Sequence, residues 1–420
     1  GISKQNVRIT GKTRNVSFDN VKMNGSLVLS ADKQPYKHLS EWMAYSEMKR
    51  TPKPWLLDFA SAPRWSYTVG IELESLLDVY HVYGGDSIRN YLTTYCKKMI
   101  DQQGKVTGYD YNAFNLDNIR PAKFILKMQQ YAPTQGEKKA LKTFMKQLLK
   151  QPRTSDGVFW HKAIYANQVW LDGIFMGLPF YCNYALTNYS DRKARAILDD
   201  AVHQILQTDL RTYDKTTGLW KHAWDETHSQ FWANQGNGQS RHTWARALGW
   251  YVMAIMECLD VMPNDYPRRA ELVALLQKTM QAVVQYQDKK SGVWYDVMDV
   301  KSPKNYLEST ASCMFSYVLL KGSRQGWLSS DFREAGKRAY QGILQRFIRV
   351  NNDLTLSLTD CCSVSGLGPG KGPFVPKGKE NYRRDGSFDY YMSEPIRDND
   401  PKGIGPFIWA SLEMEQYNAQ

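Results

Sequence analysis

The run HKAIYANQVWLDGIFMGLPF, from His161 to Phe180, carries one acid, Asp172, among tryptophan, leucine, isoleucine, phenylalanine and methionine. A carboxylate in such company is costly to bury unless something compensates or uses it. The chain also holds Asp117 in FNLDNIRP, His161 and Lys162 ahead of Asp172, and His222 in the long segment GLWKHAWDETHSQFWANQGNGQSRH. Arg246 and Trp250 stand four residues apart and so share a helix face. Trp65, Trp170 and Trp250 supply broad rings of the kind that line sugar clefts. Two carboxylates in a tryptophan-lined pocket suit glycosidic-bond chemistry. An apolar setting keeps a carboxyl protonated for acid work. An arginine suits a substrate that bears a carboxylate.

Each of these residues also has a plain structural reading. Asp117 and Asp172 could cap helix N-termini, although NQVW before Asp172 reads as helix and argues against a cap there. Arg246 could pair with Glu257 or Asp225. The histidines could be satisfied polar residues, and the tryptophans could be core. The case for a site rests on convergence, which the surrounding elements must supply.

Those elements read as helices. Ile88, Tyr91, Leu92, Tyr95, Cys96 and Met99 form a 3.6-period stripe, and similar stripes run through 141–149, 272–283 and 332–347. Asp86-Ser87, Asp191 and Ser330-Asp331 supply helix starts. Between these amphipathic helices lie others that are apolar around most of their circumference, such as WSYTVGIELESLLDVY, RHTWARALGWYVMAIMECLD and KGIGPFIWASLEMEQ. Such helices are buried. About twelve helices, alternately outer and inner, predict an all-α fold, an (α/α)6 barrel spanning residues 36–420. Residues 1–35 read as an extended lead-in with short strands. Links from inner to outer helices are short, and the returning links are long, notably near 210–240 and 351–402. Long loops of this kind carry function, so the cleft is expected at the N-terminal ends of the inner helices.

Composition narrows the partners. The 420 residues carry a formal net charge of +12, with 13 Trp and 26 Tyr. No dense Lys/Arg block alternates with aromatics, so nucleic acid is not expected. No apolar stretch approaches a membrane span. Four of the six cysteines fall in apolar helical runs, whereas Cys361 and Cys362 read as a loop pair. No metal-ligand spacing is present. The chain begins at Gly1, which reads as a processed N-terminus, with a periplasmic or secreted location expected.

HKAIYANQVWLDGIFMGLPF, RHTWARALGWYVMAIMECLDVMP, YLESTASCMFSYVLLKGSRQGWL and RRDGSFDYYMSEPIRDNDPKGIGPFIWASLEME together resemble the unsaturated rhamnogalacturonyl hydrolases, glycoside hydrolase family 105. The resemblance runs from about Tyr36 to the end and implies an (α/α)6 barrel. It implies removal of a 4,5-unsaturated uronic acid from the non-reducing end of lyase-generated oligosaccharides, by hydration of the double bond and without metal or organic cofactor. By the same resemblance, Asp172 is the acid and Asp117 the second carboxylate. His161, His222, Arg246 and Trp250 would line the unsaturated sugar, Trp65 and Trp170 would be stacking walls, Met176 would back the pocket, and Lys162 would reach the uronate or the next sugar. One departure is Ala247-Leu248, where the family more often has Gly-Asn, and it bears on linkage preference. Alternatives are an unsaturated glucuronyl hydrolase acting on glycosaminoglycan, ulvan or arabinogalactan fragments, a sugar epimerase on the same barrel, and a non-catalytic glycan-binding toroid. The expected state is a monomer or weak homodimer.

Overall fold

A computed structural model describes residues 7–9, 20–23, 27–30 and 34–418. Its helices, in chain order, are α1 (Leu39–Arg50), α2 (Tyr67–Tyr83), α3 (Asp86–Met99), α4 (Arg120–Met128), α5 (Gln135–Lys150), α6 (Leu171–Asn188), α7 (Asp191–Thr212), α8 (Ala245–Val261), α9 (Arg269–Gln285), α10 (Ser309–Arg324), α11 (Ser330–Phe347), the short α12 (Phe388–Ser393) and α13 (Pro401–Asn418). Helices α2, α4, α6, α8, α10 and α13 pack each against the next, and α13 returns to α2, which closes an inner ring. Each inner helix also packs on one of α3, α5, α7, α9, α11 and α1, the outer ring. The chain is thus the expected (α/α)6 barrel.

The helix surfaces explain the layering. On α3 only Ile88, Tyr91, Leu92, Tyr95, Cys96 and Met99 are buried, the same six residues as the sequence stripe. On α8 every residue from Ala245 to Leu259 is buried, because this helix has neighbours on all sides. Close approach within the ring depends on small residues. A Cβ on Gly70 of α2 would lie 2.7 Å from the Cα of Pro121 on α4, which is backbone and cannot swing aside.

Two local expectations are corrected. Asp86, Asp191 and Ser330 lie in the first helical turn, and the cap positions fall one residue earlier, at Gly85, Ser190 and Ser329. Cys361-Cys362 is a short strand paired antiparallel with Ile396–Arg397 rather than loop, because the returning chain supplies a partner edge. All six cysteines are free and buried. Strands Leu27–Ser30, Asn20–Met23, Val7–Ile9, Ile348–Val350 and Leu356–Leu358 form, in that order, an antiparallel sheet joining the N-terminal segment to the hairpin after α11. Among the described residues no helix is long and apolar enough to cross a membrane.

Charges sit inside the ring. Arg120 in the first turn of α4 is buried, with Nη2 2.7 Å from Glu74 on α2 and Nη1 2.5 Å from Glu257 on α8. Lys123 bridges the same two acids at 2.9 and 3.1 Å. Burial pushes both carboxyls upward, but Arg120 and Lys123 outweigh it and hold them below the ordinary glutamate range. Removing one partner strands a buried charge, which costs about 3–5 kcal/mol. Glu257→Leu is therefore expected to lower unfolding free energy by about 3 kcal/mol or more in urea titrations. A change under about 1 kcal/mol would show that the network is not under this constraint.

Candidate active site

The N-terminal ends of the inner helices meet at the face that carries the long loops. Asp117 occupies a 3₁₀ turn, Leu116–Asn118, just before α4. It is therefore not the helix cap, and the side chain of Asn115 accepts its backbone N–H at 2.9 Å. The turn is held from both sides. The Trp65 indole donates to the Asn118 carbonyl at 2.9 Å, and the Leu116 N–H donates to the His161 carbonyl at 3.1 Å. Lys162 Nζ lies 2.7 Å from Asp117 Oδ2, and His161 Nε2 lies 3.5 Å from Oδ1.

Asp172 lies in the first turn of α6, and here NQVW departs from the expected helix. Gln168–Trp170 is a strand paired antiparallel with Ala223–Asp225, and Trp170 has extended backbone at φ −112° and ψ 142°. The helical reading failed because a partner strand from a remote loop satisfies this backbone instead. The pairing brings in His222. The Leu171 N–H donates to the His222 carbonyl at 3.1 Å, and His222 Nε2 comes 3.2 Å from Asp172 Oδ2 without hydrogen-bond alignment. Among the described residues only His222 stands within ion-pair reach of Asp172. The apolar neighbours of Asp172 in sequence turn into the ring, while its carboxylate faces this imidazole.

Rings order the histidines. His161 stacks on Trp170 with centroids 4.8 Å apart, and Trp170 stacks on Tyr165 at 4.4 Å. A Cβ on Gly173 would meet His161 Nδ1 at 2.8 Å, so glycine lets the imidazole lie against the start of α6. Arg246 is buried over the Trp244 ring and donates to the Cys362 carbonyl, with Glu308 at 3.9 Å. Glu257 and Asp225, the partners considered for it from sequence, are engaged elsewhere. The Arg246 Nε and Nη1 have no protein acceptor. A buried guanidinium with unused N–H groups is suited to receive an anion.

Three aromatic candidates differ in setting. Trp170 stands between the histidines. Trp65 packs behind the Asp117 turn on Phe144 at 5.4 Å, and Trp250 stacks on Phe175 at 4.8 Å beneath Tyr67. Met176 is buried one turn below Asp172. Sequence reading passed over Tyr67, Tyr391 and Glu308. The Tyr67 hydroxyl lies within electrostatic reach of Asp117, Arg246 and Asp172. Tyr391 shares a hydrogen bond with His222 Nδ1 at 2.8 Å. Glu308 begins α10 and accepts the Ala311 N–H at 2.7 Å and the Cys362 N–H at 2.9 Å. As a lone acid at the start of an inner-type helix, Glu308 carried the same signal as Asp172. Tyr391, on a six-residue helix, carried no periodicity at all.

Burial works to raise the Asp117 carboxyl, but Lys162 and His161 outweigh it and keep it below the ordinary aspartate range. Burial drives His161 down to about 4, so it is neutral at pH 7. Asp296, which accepts the Trp244 indole N–H at 3.0 Å, is pushed up to about 8 by burial and by Glu308. Among the described residues no group of three or more His, Cys, Asp or Glu is arranged to hold a metal ion.

At one mouth of a helical toroid stand two carboxylates, each beside a histidine, and a buried arginine with N–H groups that have no protein acceptor. The profile of Glycosyl Hydrolase Family 88 matches residues 39–418, and the chain belongs to this glycoside hydrolase family. A Clostridium acetobutylicum glycoside hydrolase from family 105 superposes with a TM-score of 0.83 at 36% identity, covering 90% of this chain and 99% of that one. The Agrobacterium fabrum protein Atu3128 is 34% identical over 57% of this chain and 97% of its own length. The Bacillus subtilis unsaturated rhamnogalacturonyl hydrolase YesR is 25% identical over 42% of this chain and 49% of its own length.

His161 also sets a pH dependence. An unfolded histidine titrates near 6.5, and this one titrates near 4 in the fold. Between those values the unfolded chain binds more protons. The stability from keeping His161 neutral is therefore complete above about pH 6.5 and is lost as pH falls towards 4. In urea midpoints measured across this window, His161→Gln is expected to show a shallower acid decline than wild type. Parallel curves would mean that His161 is not buried neutral.

Proposed function

We propose that this glycoside hydrolase removes a 4,5-unsaturated uronic acid from the non-reducing end of lyase-generated oligosaccharides, with rhamnogalacturonan fragments as substrate. The observation that carries this reading is the asymmetry of the two carboxylates. Asp117 is tied to Lys162 at 2.7 Å, whereas among the described residues the one ion-pair contact of Asp172 is the His222 imidazole. A carboxyl tied to a lysine and a second one that is not give acid–base chemistry two unlike groups.

In this scheme the Asp172 carboxyl gives its proton to C4 of the enol ether, and positive charge develops at C5 and the ring oxygen. The Asp172 carboxylate then takes a proton from water as the water oxygen bonds to C5, which regenerates the acid. The C5 hemiketal opens to a ketone, and the anomeric carbon, now a hemiacetal, expels the partner sugar. Asp117, held charged, accepts hydrogen bonds from sugar hydroxyls. Arg246, with its free N–H groups, takes the uronate carboxylate. His222, fixed by Tyr391, and the Trp170 ring hold the unsaturated ring against Asp172. The similarity to the Clostridium family 105 enzyme over nearly its whole length supports this reading, and the name of the Bacillus relative supports rhamnogalacturonan as the source.

Conjugation in the enol ether absorbs in the ultraviolet, so hydration is read as loss of absorbance. Wild type is expected to bleach lyase-digested rhamnogalacturonan. Asp172→Asn is expected to lose activity by about a hundredfold or more while retaining its thermal midpoint. Full activity in Asp172→Asn would remove it as proton donor. Bleaching only of unsaturated glucuronyl substrates would move the assignment to another polysaccharide.

A further inference from the structure

The proposed reaction uses one sugar ring, but the substrate continues beyond it. The direction it takes can be read from exposure. Arg246 and His222 are 1% and 0% exposed, whereas Asp117 and Lys162 are 14% and 21% exposed, so the pocket opens on the Lys162 side. Trp160, two residues before Lys162, is half-buried. Its backbone is fixed by the buried Gln151, whose amide donates to the Trp160 carbonyl at 3.0 Å and to the Phe114 carbonyl at 2.6 Å.

Facing Trp160 is Phe374, with ring centroids 6.3 Å apart. Phe374 is 55% exposed, so much of its ring faces solvent. It sits on a strap, residues 363–387, that follows the Cys361-Cys362 strand. The strap first passes beside Trp170, where a Cβ on Gly366 would lie 3.7 Å from the indole. Backbone bonds from Gly368 to Arg384 at 2.9 Å and from Asn381 to Pro369 at 2.7 Å hold its two arms together. Gln230 Nε2 donates to the Lys371 carbonyl at 3.3 Å. Residues 371–385 hold five basic and two acidic residues. Arg383 and Arg384 are engaged by Glu394, while Lys371, Lys377 and Lys379 are exposed.

We infer that the Trp160–Phe374 pair and the lysine-bearing tip of the strap form the binding surface for the leaving oligosaccharide, and that this surface selects anionic chains longer than a disaccharide. The inference rests on the reaction proposed above. The C–H face of a pyranose is apolar and packs on an aromatic ring, while its hydroxyls stay in water. Three exposed lysines complement the carboxylates that alternate along a uronate-containing chain, and they raise its local concentration. A contact made equally before and in the transition state lowers KM without changing kcat.

The test compares an unsaturated disaccharide with an unsaturated tetrasaccharide bearing a further uronate, by absorbance loss. Phe374→Ala is expected to raise KM on the tetrasaccharide about three- to tenfold, with kcat unchanged on both substrates. The triple charge reversal Lys371→Glu, Lys377→Glu and Lys379→Glu is expected to raise the same KM, less so as salt is added. An unchanged tetrasaccharide KM in Phe374→Ala, or a fall in kcat alike on both lengths, overturns the surface and leaves the proposed reaction standing. Wild-type silence on both substrates overturns the proposed reaction, and this inference with it.

Discussion

Arg120 is the point through which core and site are joined. Its guanidinium lies 3.9 Å from the centroid of Phe175 on α6 and binds acids from α2 and α8, so four of the six inner helices meet there. Lys123 and Lys127 follow on the same face of α4, and Lys127 reaches Asp78 at 2.6 Å. Buried charges lose their hydration, and only good geometry with several partners offsets that loss. The network therefore tolerates little rotation of α4 about its own axis. Asp117 precedes Arg120 by three residues, so the constraint that aligns the ring also aims the turn bearing the second carboxylate.

The site is built from unlike parts around a fixed floor. Helix starts supply Asp172, Arg246 and Glu308, which the ring positions directly. Returning loops supply Asp117, His161, Lys162, His222 and Tyr391, which depend on local devices. The two-strand pairing sets His222 against Asp172, and the absence of a Cβ at Gly173 lets His161 settle between Trp170 and α6. The result is a charge gradient across a short span. Asp117 is held anionic by lysine, His161 is held neutral by burial, and Arg246 keeps N–H groups without protein partners.

An unsaturated glucuronyl hydrolase from Bacillus sp. GL1 superposes with a TM-score of 0.60 at 14% identity, a likeness of fold. What separates members of such a fold lies in the loops over the mouth, since the ring itself is committed to packing. In this chain those loops include the strap that carries Phe374, and Ala247-Leu248 lie fully buried beside Arg246.

Helices were legible because their two kinds of surface have different periodicities. The stripe on α3 and the all-round apolarity of α8 each follow from how many sides of the helix meet neighbours. The order of long and short links then placed the mouth at the N-terminal ends of the inner ring, and with it Asp172 and Arg246. Tertiary structure alone decided the rest. QVW became a strand because its hydrogen-bonding partner lies about fifty residues away, beyond any local pattern. Cys361-Cys362 became a strand for the same reason. Trp65 and Trp250 turn out to be packed among core rings, and Tyr391 is brought to His222 by a connection of 169 residues. Local sequence records which faces must leave water. Which remote polar group ends beside a given carboxylate is set by ring closure and loop pairing, and these exist only once the chain has folded.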